Sequence, residues 1–533
     1  MPLPRTALGR RAFLKGAAAT ALGALAAGAK GCARPPRPRN LLFVVVEDWN
    51  ARSAGCYGSP HVRTPQLDAF AKTALRFERA YCQAAGCNPS RSSFLTGLRP
   101  ETTRVFGNRD RMDRRLPPGT QSLPELFAGA GFATVGIGKL FHLAYMARSQ
   151  LQRFERLELC DVPEGYAGLS TGYRPAPGTP APPPRGFQYS PDPETERQLV
   201  ALAEERDRRS AEVEIGEKEW VRAQIKFRMA YSELVGDSGE SEEQSEDGQR
   251  ARLCAQILPE LARAGRPFFL SLGFSKPHVP LLAPKPYLDL YPPESLPAAW
   301  APESRDRGIP PVARRFGRNF DLFQSVERTP ERERRALAAY YACVSFIDAQ
   351  LGIVLAAVDA AGLAENTAIV VLGDHGFHLG EHGLWSKVTL FEQSTRVPLL
   401  VRVPGARANG GSCPGIVELV DLVPSLAELF GLSVPQALEG ASFAPLLERP
   451  DRAWKRAAFA LCKLTQSTGR AVRTQRYRYS LWPTPIGPAQ ELYDLETDPW
   501  EHVNLAGDPQ HAPVLAEHAE LLDAGWRAAL PLG

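Results

Sequence analysis

The chain carries chemically capable side chains directly after four of its short apolar runs. In chain order these pairs are Glu47 with Asp48, Lys139 with His142, Lys276 with His278, and Asp374 with His375. Carboxylate oxygens are ligands for a hard divalent cation, and fixed cations beside them could hold an anionic substrate. Taken singly each pair is weak evidence, because an Asp after a strand is usually a helix cap and a lone His usually makes an ordinary hydrogen bond.

The apolar runs themselves predict parallel strands joined by crossover helices. The predicted strands are residues 40–46, 134–137, 268–273, 367–372 and 398–403, and the predicted helices are residues 66–80, 336–361 and 421–430. In an open parallel sheet the carboxyl ends of the strands line one crevice. We therefore expect the four pairs to converge on one pocket, although they are far apart in the chain.

A cysteine stands at the start of another predicted helix, in the stretch GCNPSRSSFLTG of residues 86–97. Pro89 suits the first helical turn, so Cys87 would lie at a helix N-terminus, where backbone N–H groups favour an anion. Four interpretations compete: a buried small residue, a disulfide with Cys82, a thiolate nucleophile, or a precursor of another group. A phosphatase-type thiolate needs a longer cradle than the three residues between Cys87 and Arg91, which disfavours the thiolate.

The segment from Cys87 to Gly97 resembles the sulfatase signature C-x-P-S-R-x-x-x-L-T-G. In that family a separate maturation enzyme oxidises the cysteine to Cα-formylglycine. Further segments support the resemblance, namely GCYG (55–58), GLRPETTR (97–104), GK-x-x-H (138–142), KPHVP (276–280), DHGFHLGEHGLWSK (374–387) and the tail LYDLETDPWEHVNL. The chain is thus identified as similar to the type I, formylglycine-dependent sulfatases, and most to iduronate-2-sulfatase-like members, over residues 39–510.

The resemblance implies an α/β fold, with an alkaline-phosphatase-like, mostly parallel sheet sandwiched by helices and a smaller C-terminal α+β subdomain. We expect a catalytic domain over residues 39–450 with insertions at about 145–260, and the C-terminal subdomain over residues 455–533. The acidic stretch 236–249 reads as a solvated loop among those insertions, with a regulatory or partner-binding tail as the alternative.

The family's site residues carry over position by position. One calcium ion would be held by Glu47, Asp48, Asp374, His375 and the modified Cys87. The family usually has Asp-Asp where this chain has Glu47-Asp48, a change that calcium's flexible coordination can absorb.

The catalytic roles carry over in the same way. Arg91, Lys139 and Lys387 would offset charge on the sulfate oxygens, and His278 would protonate the leaving alcohol. Asp374 or His142 would manage protons on the hydrate, whereas we expect His378 and His382 to be structural.

The implied activity is hydrolysis of a sulfate ester on a sulfated sugar. A hydrated aldehyde offers two hydroxyls on one carbon: one attacks sulfur, and the other expels sulfate as the aldehyde re-forms. A phosphatase or phosphonate hydrolase of the same superfamily, which usually binds two zinc ions, is the alternative, as is a non-catalytic glycan-binding relative. A 2-sulfated uronic acid from a glycosaminoglycan or an algal polysaccharide is the expected substrate. A basic rim from Lys463, Arg470 or Arg473 would bind its carboxylate; the alternative is that these residues are plain surface charge.

The N-terminus predicts export. Residues 1–32 contain RRAFLK followed by an apolar stretch, which resembles a twin-arginine signal, and residues 33–38 form a Pro-rich tether. The apolar stretch is only about half the length of a membrane-spanning helix, so no transmembrane helix is expected. Cys32 raises lipid attachment as an alternative. The predicted location is therefore periplasmic or extracellular, free or lipid-anchored.

Net charge and cysteine spacing argue against two other functions, nucleic-acid binding and structural zinc binding. The net charge of +4 over 533 residues is too small to indicate nucleic-acid binding. The nine cysteines show no paired C-x-x-C spacing, so a structural zinc site is not expected.

Overall fold

The computed structural model describes residues 37–142, 155–158, 192–210, 227, 229–297, 303–314 and 322–531. The predicted signal segment with Cys32, most of the tether, and residues 143–154, 159–191 and 211–226 of the predicted insertions lie outside these residues. The fold described in this section is that of the compact unit formed by Pro38–Gly533.

The strands, β1 to β15 in chain order, are Asn40–Val46, Leu75–Tyr81, Ala133–Gly138, Arg156–Glu158, Val235–Asp237, Phe268–Phe274, Leu281–Ala283, Thr367–Gly373, Arg396–Val397, Leu399–Arg402, Ser412–Glu418, Ala458–Lys463, Thr468–Arg473, Tyr477–Trp482 and Ala489–Asp494. The longer helices, α1 to α8, are Pro65–Ala71, Cys87–Thr96, Leu123–Gly129, Pro193–Ser210, Glu246–Ala264, Pro330–Ala360, Leu422–Phe430 and Ala512–Ala524. One-turn helices are Pro100–Thr103, Met112–Arg115, Lys285–Leu288 and Glu392–Thr395.

A central sheet has the strand order β11-β2-β10-β8-β1-β6-β3-β4, with β9 paired to β2. The strands β8, β1, β6, β3 and β4 are parallel neighbours, so the four strands that precede the candidate residues end at one edge. This confirms the predicted mostly parallel sheet. The expected parallel direction is wrong for β10, which runs antiparallel to both β8 and β2.

Both faces of the sheet are buried, as the continuous apolar sequence of β1 predicts. Leu42 and Val44 pack in one core with α5 and α6. Phe43 and Val45 pack on the opposite face with α2, α3 and α7. The helix α6 is long and apolar enough to cross a membrane by length and composition, but most of its apolar window is buried in the first core.

The prediction of one helix over residues 66–80 is wrong. The helix α1 ends at Ala71, and the chain then forms β2. Leu75 and Phe77 are fully buried while Arg76 between them is partly exposed, which is the period of a strand. Pairing with β10 and β11 decides the conformation of this segment, and β11 itself was not predicted.

The acidic stretch 236–249 is not a solvated loop throughout. Residues at its start belong to β5, which pairs with β7, and its end forms the first turn of α5. Asp247 is buried because its carboxylate accepts hydrogen bonds from the backbone N–H groups of Ser275 and Lys276. Local charge predicted solvation, whereas these tertiary partners make burial favourable.

The C-terminal part forms the small strand-rich unit that the sequence predicts. The strands β12 to β15 make an antiparallel sheet in chain order, and α8 packs its Leu521 and Leu522 against Val472 and Tyr479 of that sheet.

Candidate active site

Cys87 is the first residue of α2, and the local sequence fixes that helix start. Gly86 has extended backbone angles, Pro89 lies in the first turn, and the helix stops at Gly97 with φ of 71°. The hydroxyl of Ser90 donates to the backbone oxygen of Asp374. The first turn of α2 is thereby fixed against the end of β8.

The sulfur of Cys87 is buried among nitrogen atoms. Its Sγ lies 3.3 Å from Nε2 of His375 and 3.6 Å from Nζ of Lys387. Burial raises the pKa of this thiol well above its usual value, although Lys387 opposes the shift. This disfavours the thiolate interpretation, and the disulfide interpretation fails because Cys82 and Cys87 are both free.

Glu47 and Asp48 follow β1 at the sheet edge. Asp48 has φ of 54°, a left-handed conformation that persists only where surrounding contacts hold it. Two contacts do so: its backbone N–H donates to Oδ1 of Asp374 at 3.0 Å, and the hydroxyl of Tyr340 in α6 donates to its carbonyl at 2.7 Å. The strain therefore coincides with the predicted cation site.

Each of the three buried carboxylates has a cationic partner. Lys387 Nζ lies 2.7 Å from both oxygens of Asp48. Arg91 Nε donates to Oδ2 of Asp374 at 2.9 Å, and Lys139 donates to Glu47. Each buried carboxylate therefore has a positively charged side chain against it, and this pairing offsets the cost of removing the carboxylate from water.

These ion pairs shift the carboxylate pKa values against the effect of burial. Burial alone would raise the pKa of Glu47, but Lys139 and, less strongly, His278 hold it well below its usual value. The pKa of Asp48 is also lowered, with burial opposing and Lys387 as its main cationic partner. Both side chains are therefore carboxylates, the form that a cation requires.

Lys139 is set in place by the tight end of β3. Gly138 has φ of 66°, and a Cβ built on Gly273 of the neighbouring strand would lie 2.0 Å from the carbonyl oxygen of Lys139. Arg91 Nη1 also donates to the carbonyls of Lys139 and, at 3.0 Å, Leu140. This turn needs glycine because no side chain fits between the strands.

His278 reaches the pocket from the loop after β6. Its Nδ1 lies 2.6 Å from the carbonyl of Val279, and its Nε2 lies 3.9 Å from Oδ2 of Asp48. Burial lowers the pKa of this imidazole, and Lys387 lowers it further. The buried Asp247 of α5 holds the preceding backbone of this loop, so the position of His278 depends on the segment predicted to be solvated.

The donor set fits a hard divalent cation. Two groups of side chains each place one ligand atom per residue within 4.8 Å of one another; these are Glu47, Asp48, Cys87 and His278, and Cys87, Asp374 and His375. Nδ1 of His375 donates to the carbonyl of Gly376 at 2.9 Å, so the lone pair on Nε2 faces the pocket. Three carboxylates suit calcium, and Glu47 reaches the group despite replacing the usual Asp.

Some predicted residues lie elsewhere. Nε2 of His378 lies 2.8 Å from Oγ1 of Thr389, and His382 contacts Asp306. His142 is the last described residue of its segment, and its role stays a prediction.

The predicted basic rim is only partly available. Arg473 is wrong as a rim residue, because it is buried in an ion pair with Glu392. Arg470 pairs with Asp523 at the surface of the C-terminal sheet. Lys463 is exposed, and Sγ of its neighbour Cys462 lies 3.0 Å from the carbonyl of Val388, next to Lys387.

Sequence reasoning missed Asn108. Its Oδ1 accepts the backbone N–H of Asn88 at 3.0 Å, so its amino group is the end that faces the sulfur of Cys87, at 3.9 Å. The side chain of Asn88 in turn donates to the carbonyls of Gly107 and Asp110. Nothing in the chain spacing indicates this contact, because the loop returns to α2 only in the folded protein.

Comparison with known proteins agrees with this arrangement. A sulfatase family model matches residues 39–432, and a model for the C-terminal region of N-sulphoglucosamine sulphohydrolase matches residues 380–525. Iduronate 2-sulfatase of Homo sapiens is 29% identical, in an alignment that covers 88% of this chain and 92% of that protein.

Two solved structures share the fold. A phosphonate monoester hydrolase of Agrobacterium radiobacter superposes with a TM-score of 0.68 at 22% identity and covers 93% of this chain and 96% of its own. A 2-O GAG sulfatase gives a TM-score of 0.65 at 22% identity, with 93% of both chains covered. The family match spans the whole central sheet and the pocket at its edge. The chain therefore belongs to the sulfatase family and is a sulfuric ester hydrolase.

Proposed function

We propose that this enzyme removes sulfate from a sulfated sugar, using Cα-formylglycine made from Cys87 and one calcium ion. The observation that carries the proposal is the position of Cys87, whose buried sulfur lies within 3.6 Å of His375 and Lys387 and beside the side chains of Glu47, Asp48 and Asp374. A thiol with a raised pKa is a poor nucleophile there. Conversion to an aldehyde hydrate gives the same position two hydroxyls, one for attack on sulfur and one for release of sulfate.

The chain's own residues supply binding and proton transfer. A calcium ion held by Glu47, Asp48, Asp374, His375 and the modified Cys87 would supply positive charge at the sulfate group. The cationic side chains of Arg91, Lys139 and Lys387 would orient the sulfate oxygens and offset the charge that develops on them.

The proton donor is expected on the more open side of the pocket. His278 has a side chain that is 30% exposed, whereas His375 is fully buried. A leaving sugar oxygen could approach Nε2 of His278, which would donate the proton that the alcohol needs. Asp374 or His142 would accept a proton from the attacking hydroxyl.

The proposed substrate carries a sulfate at position 2 of a uronic acid. The names of two similar proteins, iduronate 2-sulfatase and a 2-O GAG sulfatase, support this class. We propose Lys463 for the sugar carboxylate, because it is the residue of the predicted rim that is exposed and has no acidic partner among the described residues; its Nζ donates to Oγ1 of Thr468 at 3.0 Å. An algal polysaccharide with the same unit would present the same chemistry.

We also propose that a formylglycine-generating enzyme matures the chain and that the twin-arginine segment directs its export. The support is the sequence of residues 1–32 and the C-x-P-S-R motif.

Two measurements test the proposal. Mass spectrometry of the peptide that contains Cys87, from protein made in its native host, should show sulfur replaced by oxygen with loss of two hydrogens. Hydrolysis should then be measured on an aryl sulfate, an aryl phosphate, a phosphonate monoester and a series of sulfated uronate disaccharides, by release of the phenol from the aryl esters, of the alcohol from the phosphonate and of sulfate from the disaccharides. We expect the disaccharides and the aryl sulfate to be hydrolysed and the phosphorus esters to be poor substrates.

The matched controls are Cys87→Ala and Cys87→Ser, which should abolish turnover because neither side chain can form a hydrate. Unmodified Cys87 in a fully active enzyme would contradict the formylglycine step. A large preference for phosphate or phosphonate esters would replace the proposed substrate class.

A further inference from the structure

A buried cluster lies outside the groups that would touch the substrate. Asp306 lies 2.7 Å from Nδ1 of His502 and 3.2 Å from Nδ1 of His382, and Nη2 of Arg314 lies 2.9 Å from its second oxygen. The side chains of Asp306 and His382 are at most 1% exposed. A carboxylate buried with two imidazoles could be a metal site or a hydrogen-bonded clamp.

The contacts favour the clamp. The carboxylate of Asp306 already accepts three donors, and Arg314 already supplies a positive charge. Nε2 of His382 and Nε2 of His502 are buried without hydrogen-bond partners among the described residues. If Nδ1 of each ring carries the proton, each Nε2 is an unprotonated lone pair, and buried acceptors that lack a partner are less rare in proteins than buried N–H groups that lack one. Metal binding through Nδ1 would leave two such N–H groups.

The clamp joins three parts of the chain. The backbone N–H of Arg307 donates to the carbonyl of His502 at 2.7 Å, which joins the segment 303–314 to the C-terminal unit. His382 lies in the loop 374–387, has φ of 57°, and stacks on Phe391 with ring centroids 4.1 Å apart. The two ends of that loop carry His375 and Lys387.

We propose that Asp306 is a positioning residue that acts through His382 to hold the loop 374–387, and so places Lys387 against Asp48 and Cys87. The inference rests on the proposed function for its catalytic consequence, but the restraint on the loop stands apart from it. Small displacements of a charge-stabilising group lower turnover without a matching change in substrate affinity.

The test compares Asp306→Asn with Arg314→Met in the full-length, mature enzyme. Asp306→Asn keeps the size of the side chain but cannot accept from both imidazoles and the guanidinium. Arg314→Met removes a partner that lies outside the loop and leaves both imidazole bonds. We expect amide hydrogen exchange in residues 376–386 to rise about tenfold in Asp306→Asn and to change little in Arg314→Met.

Turnover of an aryl sulfate gives the second readout. We expect kcat to fall about tenfold in Asp306→Asn with KM within about twofold of the parent. His382→Phe keeps the stack on Phe391 but removes the donor, so it should reproduce both effects, and the double variant should add little to either. This variant also tests the proposal if Asp306→Asn does not fold.

Three results would overturn the inference. The first is amide hydrogen exchange in residues 376–386 that stays unchanged in both Asp306→Asn and His382→Phe. The second is an equal effect of Asp306→Asn and Arg314→Met on exchange and on kcat. The third is a tightly bound transition metal in the parent enzyme that Asp306→Asn loses. A parent enzyme that releases no sulfate would instead refute the proposed function, and the exchange measurement would still decide whether the clamp restrains the loop.

Discussion

Lys387 Nζ lies 2.7 Å from each carboxylate oxygen of Asp48 and 3.6 Å from the sulfur of Cys87. The ammonium group is therefore shared between a predicted calcium ligand and the reacting position. Because it is buried, no water replaces its charge when it is removed.

Lys387→Met should lower kcat by about a thousandfold, since one preorganised cation is lost where charge develops. Steady-state kinetics on an aryl sulfate measures the effect. Lys72→Met, which removes an exposed lysine, is the matched control and should behave as the parent. A kcat of Lys387→Met equal to that of the parent would show that this lysine only neutralises the charge of Asp48.

Asn108→Ala should lower kcat by about a hundredfold, because the amino group that faces position 87 is a fixed donor. The mass of the Cys87 peptide should be measured in parallel, so that a maturation defect is not mistaken for a catalytic one. Arg109→Ala, an exposed neighbour on the same loop, should be silent. If both variants keep full activity and normal maturation, the role of Asn108 is limited to its hydrogen bond with the backbone of Asn88.

Gly273→Ala should destabilise the protein by about 2 kcal/mol and lower kcat, because its Cβ would lie 2.0 Å from the carbonyl of Lys139. The strands must part, and Lys139 moves with them. Thermal unfolding and kinetics measure both effects. Gly507→Ala is the control, since its Cβ meets no atom within 4 Å. Equal melting temperatures for the two variants would contradict the tight approach.

The buried carboxyl of Glu418 makes stability depend on acid pH. Burial would raise its pKa, but ion pairs with Arg99 and Lys455 lower it from 4.5 to about 2. Because the folded-state pKa is depressed, the contribution to stability is present above pH 4.5 and is lost as pH falls towards 2. Its size is on the order of 3 kcal/mol.

Thermal unfolding over this pH range tests the point. Glu418→Gln should melt lower at neutral pH and lose less stability between pH 4.5 and 2 than the parent. Glu260→Gln breaks an exposed pair with Arg156 and should follow the parent curve. A Glu418→Gln curve parallel to that of the parent would assign the acid sensitivity to other groups.

Lys463→Met should raise KM about tenfold for a 2-sulfated uronate sugar and leave KM for an aryl sulfate unchanged, because only the sugar carries a carboxylate. Arg407→Met, which removes an exposed arginine outside the predicted rim, is the control and should affect neither substrate. An equal change in KM for both substrates would mean that Lys463 does not bind the carboxylate.

The sequence by itself determined the family and the strands that lead to position 87. The motif from Cys87 to Gly97 identified the family, and continuous apolar runs predicted β1, β3, β6 and β8, because strands buried on both faces need apolar residues at every position. Local sequence was sufficient for these features since each depends on neighbours in the chain.

Only the tertiary structure decided where distant groups meet. The amino group of Asn108 faces Cys87 because a loop folds back on α2, and Asp247 is buried because the His278 loop offers it two N–H donors. The strand β2 exists because β10 and β11 pair with it. Such contacts depend on packing between segments far apart in sequence, and neither residue type nor periodicity records which segment will supply the partner.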